Sequence, residues 1–333
     1  MKNFKGKIAF ITGGGSGAGL GQAKVFAKEG MKVAIVDIRQ DALHKAVSEI
    51  VEYAGCPVSD VLPLCFDLLD REAFTKAADT VEQVFGGPPH LLIQTAGVNS
   101  FGPAEASTFE DFDWIVGGCL SHVINGLVIF VPRMLKAYGG RDGVPREEFH
   151  VVATSSMGAF NGMAMTAPYC AAKAAVNNLM YSYDEALRPY GGGATVLCPE
   201  NINSNIGNAE KYRPAKYRNS GYYVTEGTMK HLMNIHKHGI DPVELALILK
   251  EGIENGRILV LPYADRSRWA DVLKAQHQRI EQYMLTAAER EEIARNMPPF
   301  EIPDIIANPP EGAERFGMAK KELDYVLPEK KPQ

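Results

Sequence analysis

Short apolar segments alternate with helical segments along the first 199 residues, and this alternation limits the fold more than any other feature. The apolar runs predict strands at residues 7–12, 32–37, 60–66, 91–94, 150–154, 194–198 and 257–261. Strands that are almost entirely apolar are typical of parallel sheets, which are buried on both faces. We therefore predict an α/β fold with a doubly wound parallel sheet and helices on both of its faces.

Composition and charge exclude several classes of protein. The chain has 333 residues, of which 46% are hydrophobic and 23% charged, as in ordinary globular proteins. The net charge of −5 gives no basic face, so we expect a small-molecule substrate and no nucleic-acid partner. Five dispersed cysteines predict reduced thiols, a cytoplasmic location and no metal site. We find no run that approaches the ~20 apolar residues of a membrane helix, and we expect no membrane partner.

The regular alternation stops after Pro199. The chain is predicted to have two parts. Residues 1–264 form one nucleotide-binding and catalytic domain, in which a polar substrate lid covers about 200–240. Residues 265–333 form an extension, with a long polar helix to about Asn296 and then a proline-rich extended tail. The lid tyrosines either stack on an aromatic substrate or pack the lid; they are Tyr212, Tyr217, Tyr222 and Tyr223.

A glycine-rich loop, Thr12–Gly19, joins the first strand to the first helix. Its glycines permit a tight turn and let the main chain approach a pyrophosphate, which the helix N-terminus favours. This position between a strand and a helix predicts a dinucleotide site. Asp37 ends the second strand, where a carboxylate accepts from both ribose hydroxyls and repels a 2′-phosphate. NAD is therefore favoured over NADP, although the nearby Arg39 keeps the second cofactor open.

Tyr169 and Lys173 lie four residues apart in a helical segment, and Ser156 lies thirteen residues before the tyrosine. Positions i and i+4 share one face of a helix. A phenol with its ordinary pKa of about 10 is a poor proton carrier at neutral pH, and a neighbouring cation lowers that pKa. The Ser156 hydroxyl would hold a carbonyl or alcohol oxygen beside the tyrosine. The three residues predict proton transfer on oxygen while a hydride moves elsewhere.

Taken in order, these residues resemble those of the short-chain dehydrogenase/reductase family over roughly residues 5–262. The resemblance implies a Rossmann-type domain and an NAD-dependent enzyme acting on CH–OH groups. Tyr169 would be the acid/base, Lys173 would lower its pKa and bind the nicotinamide ribose, and Ser156 would orient the substrate oxygen. The implied cofactor-binding residues are Gly13, Ser16, Gly17, Ala18, Gly19, Asp37, Asp67, Leu68, Thr95, Ala96, Gly97, Tyr169, Lys173, Pro199, Ile202 and Ser204.

The chain departs from the family pattern at the asparagine that completes a catalytic tetrad. Asn125 is the only asparagine in the corresponding helix. However, the family pattern places this asparagine eight residues after an aspartate, here Asp111, and thirteen residues before a proline, here Pro132. Both counts give Cys119. In the family, the main-chain carbonyl at this position supports a water that relays protons to the lysine. Cys119 is therefore the implied fourth catalytic residue, and it keeps the carbonyl but lacks the amide.

Two nearby positions also differ from the family. Gln94-Thr95 replaces two asparagines after the fourth strand, and His122 stands where glycine is usual. His122 either joins the proton relay or simply packs in the helix. Cys119 and Cys170 are interpreted as small buried residues rather than reactive thiols.

The resemblance implies interconversion of a bulky secondary alcohol, aromatic or anionic, and its ketone. The segment 123–134 is similar to family members that oxidise aryl alcohols of lignin-type dimers. Because Cys119 alters the tetrad, the alternative is a catalytically weak cofactor-binding protein with a regulatory or scaffold function. Helices at 108–138 and 169–188 form the usual subunit interface of the family, which implies a homodimer or homotetramer.

Overall fold

Seven parallel strands form one sheet at the centre of the computed structural model, which describes residues 1–262, 271, 274–278, 280 and 286–296. The strands are β1 (Ile8–Thr12), β2 (Lys32–Asp37), β3 (Val61–Cys65), β4 (Leu91–Gln94), β5 (His150–Thr154), β6 (Gly193–Leu197) and β7 (Leu259–Val260). Their spatial order is β3-β2-β1-β4-β5-β6-β7, so the winding direction reverses between β1 and β4. Ligands of such sheets bind at the carboxyl ends of the strands near this reversal. The predicted doubly wound α/β sheet is confirmed.

Helices connect the strands and cover both faces of the sheet. They are α1 (Gly17–Lys28), α2 (Gln40–Ala54), α3 (Arg71–Phe85), α4 (Phe109–Val116), α5 (His122–Tyr138), α6 (Ala167–Leu187), α7 (Glu226–Lys237) and α8 (Pro242–Glu254). The sequence pattern did not predict α7. None of its residues is buried, so it does not pack into the core as the other helices do. Its start is fixed instead by Thr225, whose hydroxyl accepts a hydrogen bond from the amide of Thr228.

The core lies on both faces of the central strands. On one face, the Phe10 ring of β1 packs against Phe74 of α3 and Phe130 of α5, with centroid distances of 5.8 and 4.6 Å. On the other face, Ile11 belongs to a separate buried cluster that includes Leu249 of α8. Successive strand residues point to opposite faces, which explains why nearly every strand position is apolar. This packing fixes the strand ends that carry the site.

Phe109–Tyr138 is one continuous helix made of α4, a π-helical turn at Gly117–Ser121, and α5. By length and composition alone it is apolar enough to cross a membrane, with a mean hydropathy of 1.9 in its best window. The expectation that no segment is long and apolar enough for a membrane helix was therefore wrong. Polar residues interrupt the apolar residues of this helix, but few of them are charged. Since 61% of that window is buried inside the protein, the helix has the burial of a core helix.

The chain divides into two units at Ala264. The first unit, Met1–Ala264, contains the sheet and helices α1 to α8. The second begins at Asp265, and its described residues include a helix at Ala287–Asn296. The proline-rich tail predicted after this helix lies outside the described residues. The roles predicted for the two parts stay predictions.

Candidate active site

The glycine-rich loop forms a tight cradle between β1 and α1. Gly13 and Gly17 have φ values of +68° and +52°, which glycine adopts without strain. A side-chain carbon on Gly19 would collide with the carbonyl oxygen of Gly13, and one on Gly15 would lie 2.6 Å from Asp37 Oδ2. Only glycine therefore fits these positions. The loop and the α1 N-terminus, at Ser16 to Ala18, fit a pyrophosphate group.

Asp37, at the end of β2, is engaged by Arg39. The main-chain N and Nε of Arg39 donate to Asp37 Oδ1 at 3.0 and 3.1 Å, and Nη2 donates to Oδ2 at 3.2 Å. The same Nη2 donates to Ser16 Oγ at 2.8 Å, and the Tyr212 ring centroid lies 5.5 Å from the guanidinium. Burial alone would lower the pKa of Arg39, but the interactions with Asp37 raise it. The arginine is thus neutralised by a carboxylate at the place where a ribose would bind.

The segment after β4 is tied to the neighbouring strand ends. The amides of Thr95 and Ala96 donate to Thr12 Oγ1 at 2.9 and 3.2 Å. Thr95 Oγ1 donates to Gln22 Oε1 at 2.6 Å and lies 2.7 Å from Thr154 Oγ1. The Thr95 hydroxyl is therefore used inside the protein. A contact of Thr95 with a cofactor would rest on its main-chain carbonyl.

The other predicted cofactor residues lie after β3 and β6. Asp67 and Leu68 follow β3, where the Leu68 carbonyl accepts from Asn125 Nδ2 at 3.0 Å. The residues after β6 are Pro199, Ile202 and Ser204. Ser204 reaches the cradle, because a carbon built on Gly17 would lie 2.9 Å from its Cβ. Ser204, which is far from the loop in sequence, thus lies against it.

Ser156, Tyr169 and Lys173 lie where β5 ends and α6 begins; Tyr169 and Lys173 are buried and Ser156 is half-buried. Lys173 Nζ lies 5.5 Å from the Tyr169 ring centroid and donates to the Thr154 carbonyl at 2.8 Å. Ser156 Oγ accepts from the Gly158 amide at 3.2 Å, and its hydroxyl acts on the Tyr169 phenol in the direction of a lower pKa. Pro168 fits the first turn of α6, where no amide donor is required. The structure brings together the three side chains that the sequence singled out for proton transfer.

The pKa of Tyr169 is raised, whereas the sequence predicted that Lys173 would lower it. Burial raises the pKa of the phenol, nearby Cys119 raises it further, and the hydrogen bond from Ser156 offsets only part of this effect. The Lys173 ammonium donates to the Thr154 carbonyl rather than to the phenol oxygen. The prediction from the sequence took account of the Lys173 cation but not of the burial of the phenol, which raises its pKa. In the chain alone, Tyr169 is a protonated phenol at neutral pH.

Of the two candidates for the fourth catalytic position, Cys119 lies beside Lys173 and Asn125 does not. A carbon built on Gly97 would lie 3.7 Å from Lys173 Nζ and 3.8 Å from Cys119 Sγ, so the two groups flank the same spot. Asn125 Oδ1 instead accepts from Arg71 Nε at 3.1 Å, away from this spot. The geometry favours Cys119, although a catalytic role for it stays a prediction.

Cys119 belongs to the π-helical turn at Gly117–Ser121, which the sequence did not reveal. Such turns often accompany functional sites. Its buried thiol donates to the Val98 carbonyl at 3.1 Å. A carbon on Gly118 would lie 2.5 Å from Val98 Cγ2, so the turn packs closely on this loop. The thiol is a packed, hydrogen-bonded group, which supports the interpretation of Cys119 as a buried residue rather than a reactive one.

A buried ion-pair network, which the sequence analysis missed, fastens the lid to α4. The Arg213 guanidinium pairs with Asp111 at 2.9 Å and Glu210 at 2.7 Å, donates to Ser100 Oγ at 3.0 Å, and lies 4.1 Å from the Trp114 ring centroid. Asp111 is 0% exposed and Arg213 is 7% exposed. Burial alone would raise the pKa of Asp111, but hydrogen bonds from the lid and the charge of Arg213 lower it overall. No local motif links residues 102 positions apart.

The four lid tyrosines have different environments. Tyr222 is buried and its hydroxyl lies 2.5 Å from Ser107 Oγ, so it packs the lid. Tyr217 packs against the buried cluster around Tyr169. Tyr212 is partly exposed beside Arg39, whereas Tyr223 is almost fully exposed. The tyrosines therefore do not act as one stacking surface.

Comparison with known proteins identifies the family. The family model described as short chain dehydrogenase matches residues 7–214. The chain belongs to the short-chain dehydrogenase/reductase family. It is accordingly an oxidoreductase with a Rossmann-type fold, and the family uses NAD or NADP. The predicted family, fold and enzyme class are confirmed.

Three relatives extend this result. The chain is 49% identical over 265 residues to the C alpha-dehydrogenase of Sphingobium sp. strain SYK-6, covering 80% of this chain and 83% of the relative. It resembles the LigD apo structure from the same strain at 40% identity and a TM-score of 0.67, with coverage of 85% and 99%. A short-chain dehydrogenase/reductase from Burkholderia phymatum, solved with NAD, matches at 28% identity and a TM-score of 0.75, with coverage of 86% and 98%.

Among the described residues, no group of three or more His, Cys, Asp and Glu side chains is placed to hold a metal ion. The predictions of a cytoplasmic location and of no nucleic-acid partner stay predictions.

Proposed function

We propose that this dehydrogenase interconverts a bulky aromatic secondary alcohol and its ketone with NAD as the cofactor. The observation that carries the proposal is the grouping of half-buried Ser156 with buried Tyr169 and Lys173 beside the glycine cradle. The 49% identity to a C alpha-dehydrogenase supports the class of substrate.

The proposed chemistry divides between cofactor and chain. The nicotinamide ring of NAD, when bound, accepts the hydride from the alcohol carbon. Tyr169 takes the proton from the alcohol oxygen during oxidation and returns it during reduction. Ser156 holds the same oxygen beside the tyrosine, and the Lys173 cation stabilises the phenolate form. Each of these groups is buried or partly buried, so the charges act with little screening by water.

The choice of NAD rests on Asp37 and its partner. The carboxylate ends β2 within reach of the cradle, where it suits two ribose hydroxyls and repels a phosphate. Arg39, the cation available to a 2′-phosphate, is already paired with Asp37. NADP would have to break this pair and meet the carboxylate.

The lid favours an aromatic substrate over an anionic one. Tyr169 belongs to an apolar cluster with Trp114 and Ile115 of α4, and Ile206 and Tyr217 of the lid pack against this cluster. Arg213, the buried cation of the lid, is neutralised by two carboxylates and is not free for a substrate anion. Large apolar groups therefore match the surroundings of the reacting oxygen better than charged ones do.

A substrate panel tests this proposal. Purified chain is mixed with NAD or NADP and with secondary alcohols that range from 2-propanol through 1-phenylethanol to diaryl benzylic alcohols, and absorbance of the reduced cofactor is followed. We expect turnover to be fastest with NAD and the bulky benzylic alcohols. Equal rates with 2-propanol, or a preference for NADP, would contradict the substrate class or the cofactor choice respectively.

The raised pKa of Tyr169 predicts opposite pH profiles for the two directions. Oxidation needs the phenolate, which is scarce below the pKa, so its kcat/KM should rise about tenfold per pH unit above neutrality. Ketone reduction needs the phenol, which is already present at neutral pH, so its rate should stay flat below the raised pKa of Tyr169. Initial rates in both directions between pH 6 and 10, a range that lies below this pKa, check this. An oxidation rate independent of pH would show that Tyr169 is not the base.

We also propose that the chain forms a homodimer or homotetramer through the continuous helix Phe109–Tyr138 and α6. Large apolar side chains on this helix are exposed to solvent in the single chain, among them Phe109, Phe112, Ile124 and Val128. Exposed apolar side chains grouped along one helix are typical of an interface. Light scattering of the purified chain measures the oligomer size.

A further inference from the structure

His122, the first residue of α5, is a buried imidazole without a hydrogen-bond partner. It is 1% exposed, and neither ring nitrogen makes a hydrogen bond within the described part of the chain. A neutral imidazole has one donor and one acceptor nitrogen. Leaving such a group buried and unpaired is destabilising, and buried polar groups nearly always pair with protein or with ordered water. The ring therefore indicates a bound hydrogen-bonding molecule.

Lys173 is the charged residue that acts on His122. Burial, and then the Lys173 ammonium, lowers the pKa of the imidazole, whereas the main chain of Gly118, one turn earlier, has a smaller opposite effect without a hydrogen bond of normal geometry. An ammonium has three donors, and one of them is used on the Thr154 carbonyl. The thiol of Cys119 donates to the Val98 carbonyl and so offers no proton to the ring.

We propose that His122 holds an ordered water beside Lys173. The ammonium of Lys173 donates to the water oxygen, and the water donates one proton to the acceptor nitrogen of His122. Buried waters make about three hydrogen bonds. A third partner is available in Gln94 Oε1, which is buried and accepts no hydrogen bond. This oxygen lies against Gly126, where a side-chain carbon would collide with it. Gly126 is one turn after His122, on the same face of α5.

The imidazole is suited to accept rather than to carry charge. Burial, and then the charge of Lys173, lowers the pKa of His122 to about 3. The ring therefore stays neutral over the whole working pH range and keeps its acceptor nitrogen. His122 is a positioning residue: it fixes the water that solvates the Lys173 ammonium, and this keeps the cation beside Tyr169.

The ionisable groups around Lys173 come from three elements. Tyr169 lies on the same helix, Cys119 and His122 lie on the facing helix, and Cys198 follows β6. Cys198 is a buried thiol whose pKa is raised to about 12 by burial, so it is neutral. A change at His122 should therefore reach the reaction through Lys173 and the phenol of Tyr169.

Two substitutions separate water binding from packing. His122→Phe keeps the ring volume and removes both nitrogens, whereas His122→Asn keeps a donor and an acceptor in a smaller side chain. On the proposed function, Phe should lower kcat for alcohol oxidation about tenfold, leave KM for the alcohol unchanged, and move the pH profile about one unit higher. Asn should retain most of the wild-type kcat and its pH profile. The reverse order, with Phe near wild type and Asn impaired, would overturn the proposal.

His150→Phe is the matched control. His150 is also a buried imidazole, but it lies at the start of β5 with its Nε2 2.8 Å from Thr195 Oγ1. Its substitution should lower stability and leave the pH profile in place. A profile shifted equally in this variant would show that loss of any buried imidazole has the same effect, and that result contradicts the proposal.

A crystal structure of the wild-type chain tests the water without any assay. The proposal predicts a water within hydrogen-bond distance, about 3 Å, of both Lys173 Nζ and a His122 nitrogen, and no water there in His122→Phe. A dry wild-type site, or a His122 ring paired only with protein groups, would overturn it. Absence of turnover with every alcohol would count against the proposed function alone, because the crystallographic result stands by itself.

Discussion

Tyr169→Phe should lower kcat/KM for alcohol oxidation by about 10² to 10⁴-fold, the usual contribution of a positioned acid or base. Phenylalanine keeps the buried ring beside Lys173 and removes only the hydroxyl that exchanges the proton. The chain should still fold and bind NAD, since the cradle lies on other elements. Steady-state rates, combined with NAD titration by protein fluorescence, separate loss of chemistry from loss of binding.

Tyr181→Phe is the control for this substitution. Tyr181 is a partly buried phenol on the same helix, and its pKa is also raised by burial. It lies outside the group around Ser156, so its loss should leave the rate near that of the wild type. Full activity in Tyr169→Phe would contradict the mechanism. Turnover near zero in the wild-type chain would instead favour the alternative of a catalytically weak cofactor-binding protein.

Arg213→Met should lower the free energy of unfolding by about 3–5 kcal/mol and release the lid. The substitution removes the cation that the buried carboxylate of Asp111 shares with the half-buried carboxylate of Glu210, and a buried charge that loses its partner is strongly destabilising. Methionine keeps much of the apolar stem that packs on Trp114. Denaturant unfolding measures stability, and KM for the bulky alcohol should rise as the lid detaches.

Arg218→Met provides the matched control, because Arg218 is an exposed arginine five residues further along the lid. Exposed charges contribute little, about 0–1 kcal/mol, so this variant should unfold like the wild type. Adding Asp111→Asn to Arg213→Met should recover part of the lost stability, since the uncompensated carboxylate is gone. Equal stability of the two arginine variants would show that the network does not hold the lid.

The sequence predicted the sheet and the cradle because both depend on local signals. Each strand is a short apolar run, and Gly13 and Gly17 of the Thr12–Gly19 loop give the turn its positive φ values. The spacing of Tyr169 and Lys173 likewise encodes a shared helix face. These relations span a few residues, so one sequence is enough to reveal them.

Other features depend on contacts between distant residues. The pairing of Asp111 with Arg213 joins α4 to the lid across the sequence, and neither residue alone indicates its partner. The direction of the Tyr169 pKa depends on burial by several elements, which the i, i+4 spacing does not contain. The orphaned ring of His122 also becomes visible only when its surroundings are known.

Cys119 illustrates how sequence and structure combine. Counting from Asp111 and Pro132 selected it over Asn125. The structure supports that choice, since Asn125 binds Arg71 while Cys119 and Lys173 flank Gly97. A cysteine at this position leaves the site without an amide, and a water held by His122 would supply the missing hydrogen bonds near Lys173. The departure from the family pattern is then a rearrangement of the site rather than a loss of activity.

Transfer of a labelled hydride tests the central claim most directly. A diaryl secondary alcohol that carries deuterium on its carbinol carbon is incubated with NAD and the wild-type chain, and the products are analysed by mass spectrometry. Hydride transfer predicts reduced NAD that contains the deuterium and a ketone that contains none, while the hydroxyl proton passes through Tyr169 to solvent. Ketone formation with unlabelled reduced NAD, or no ketone from any aromatic alcohol, would contradict the account.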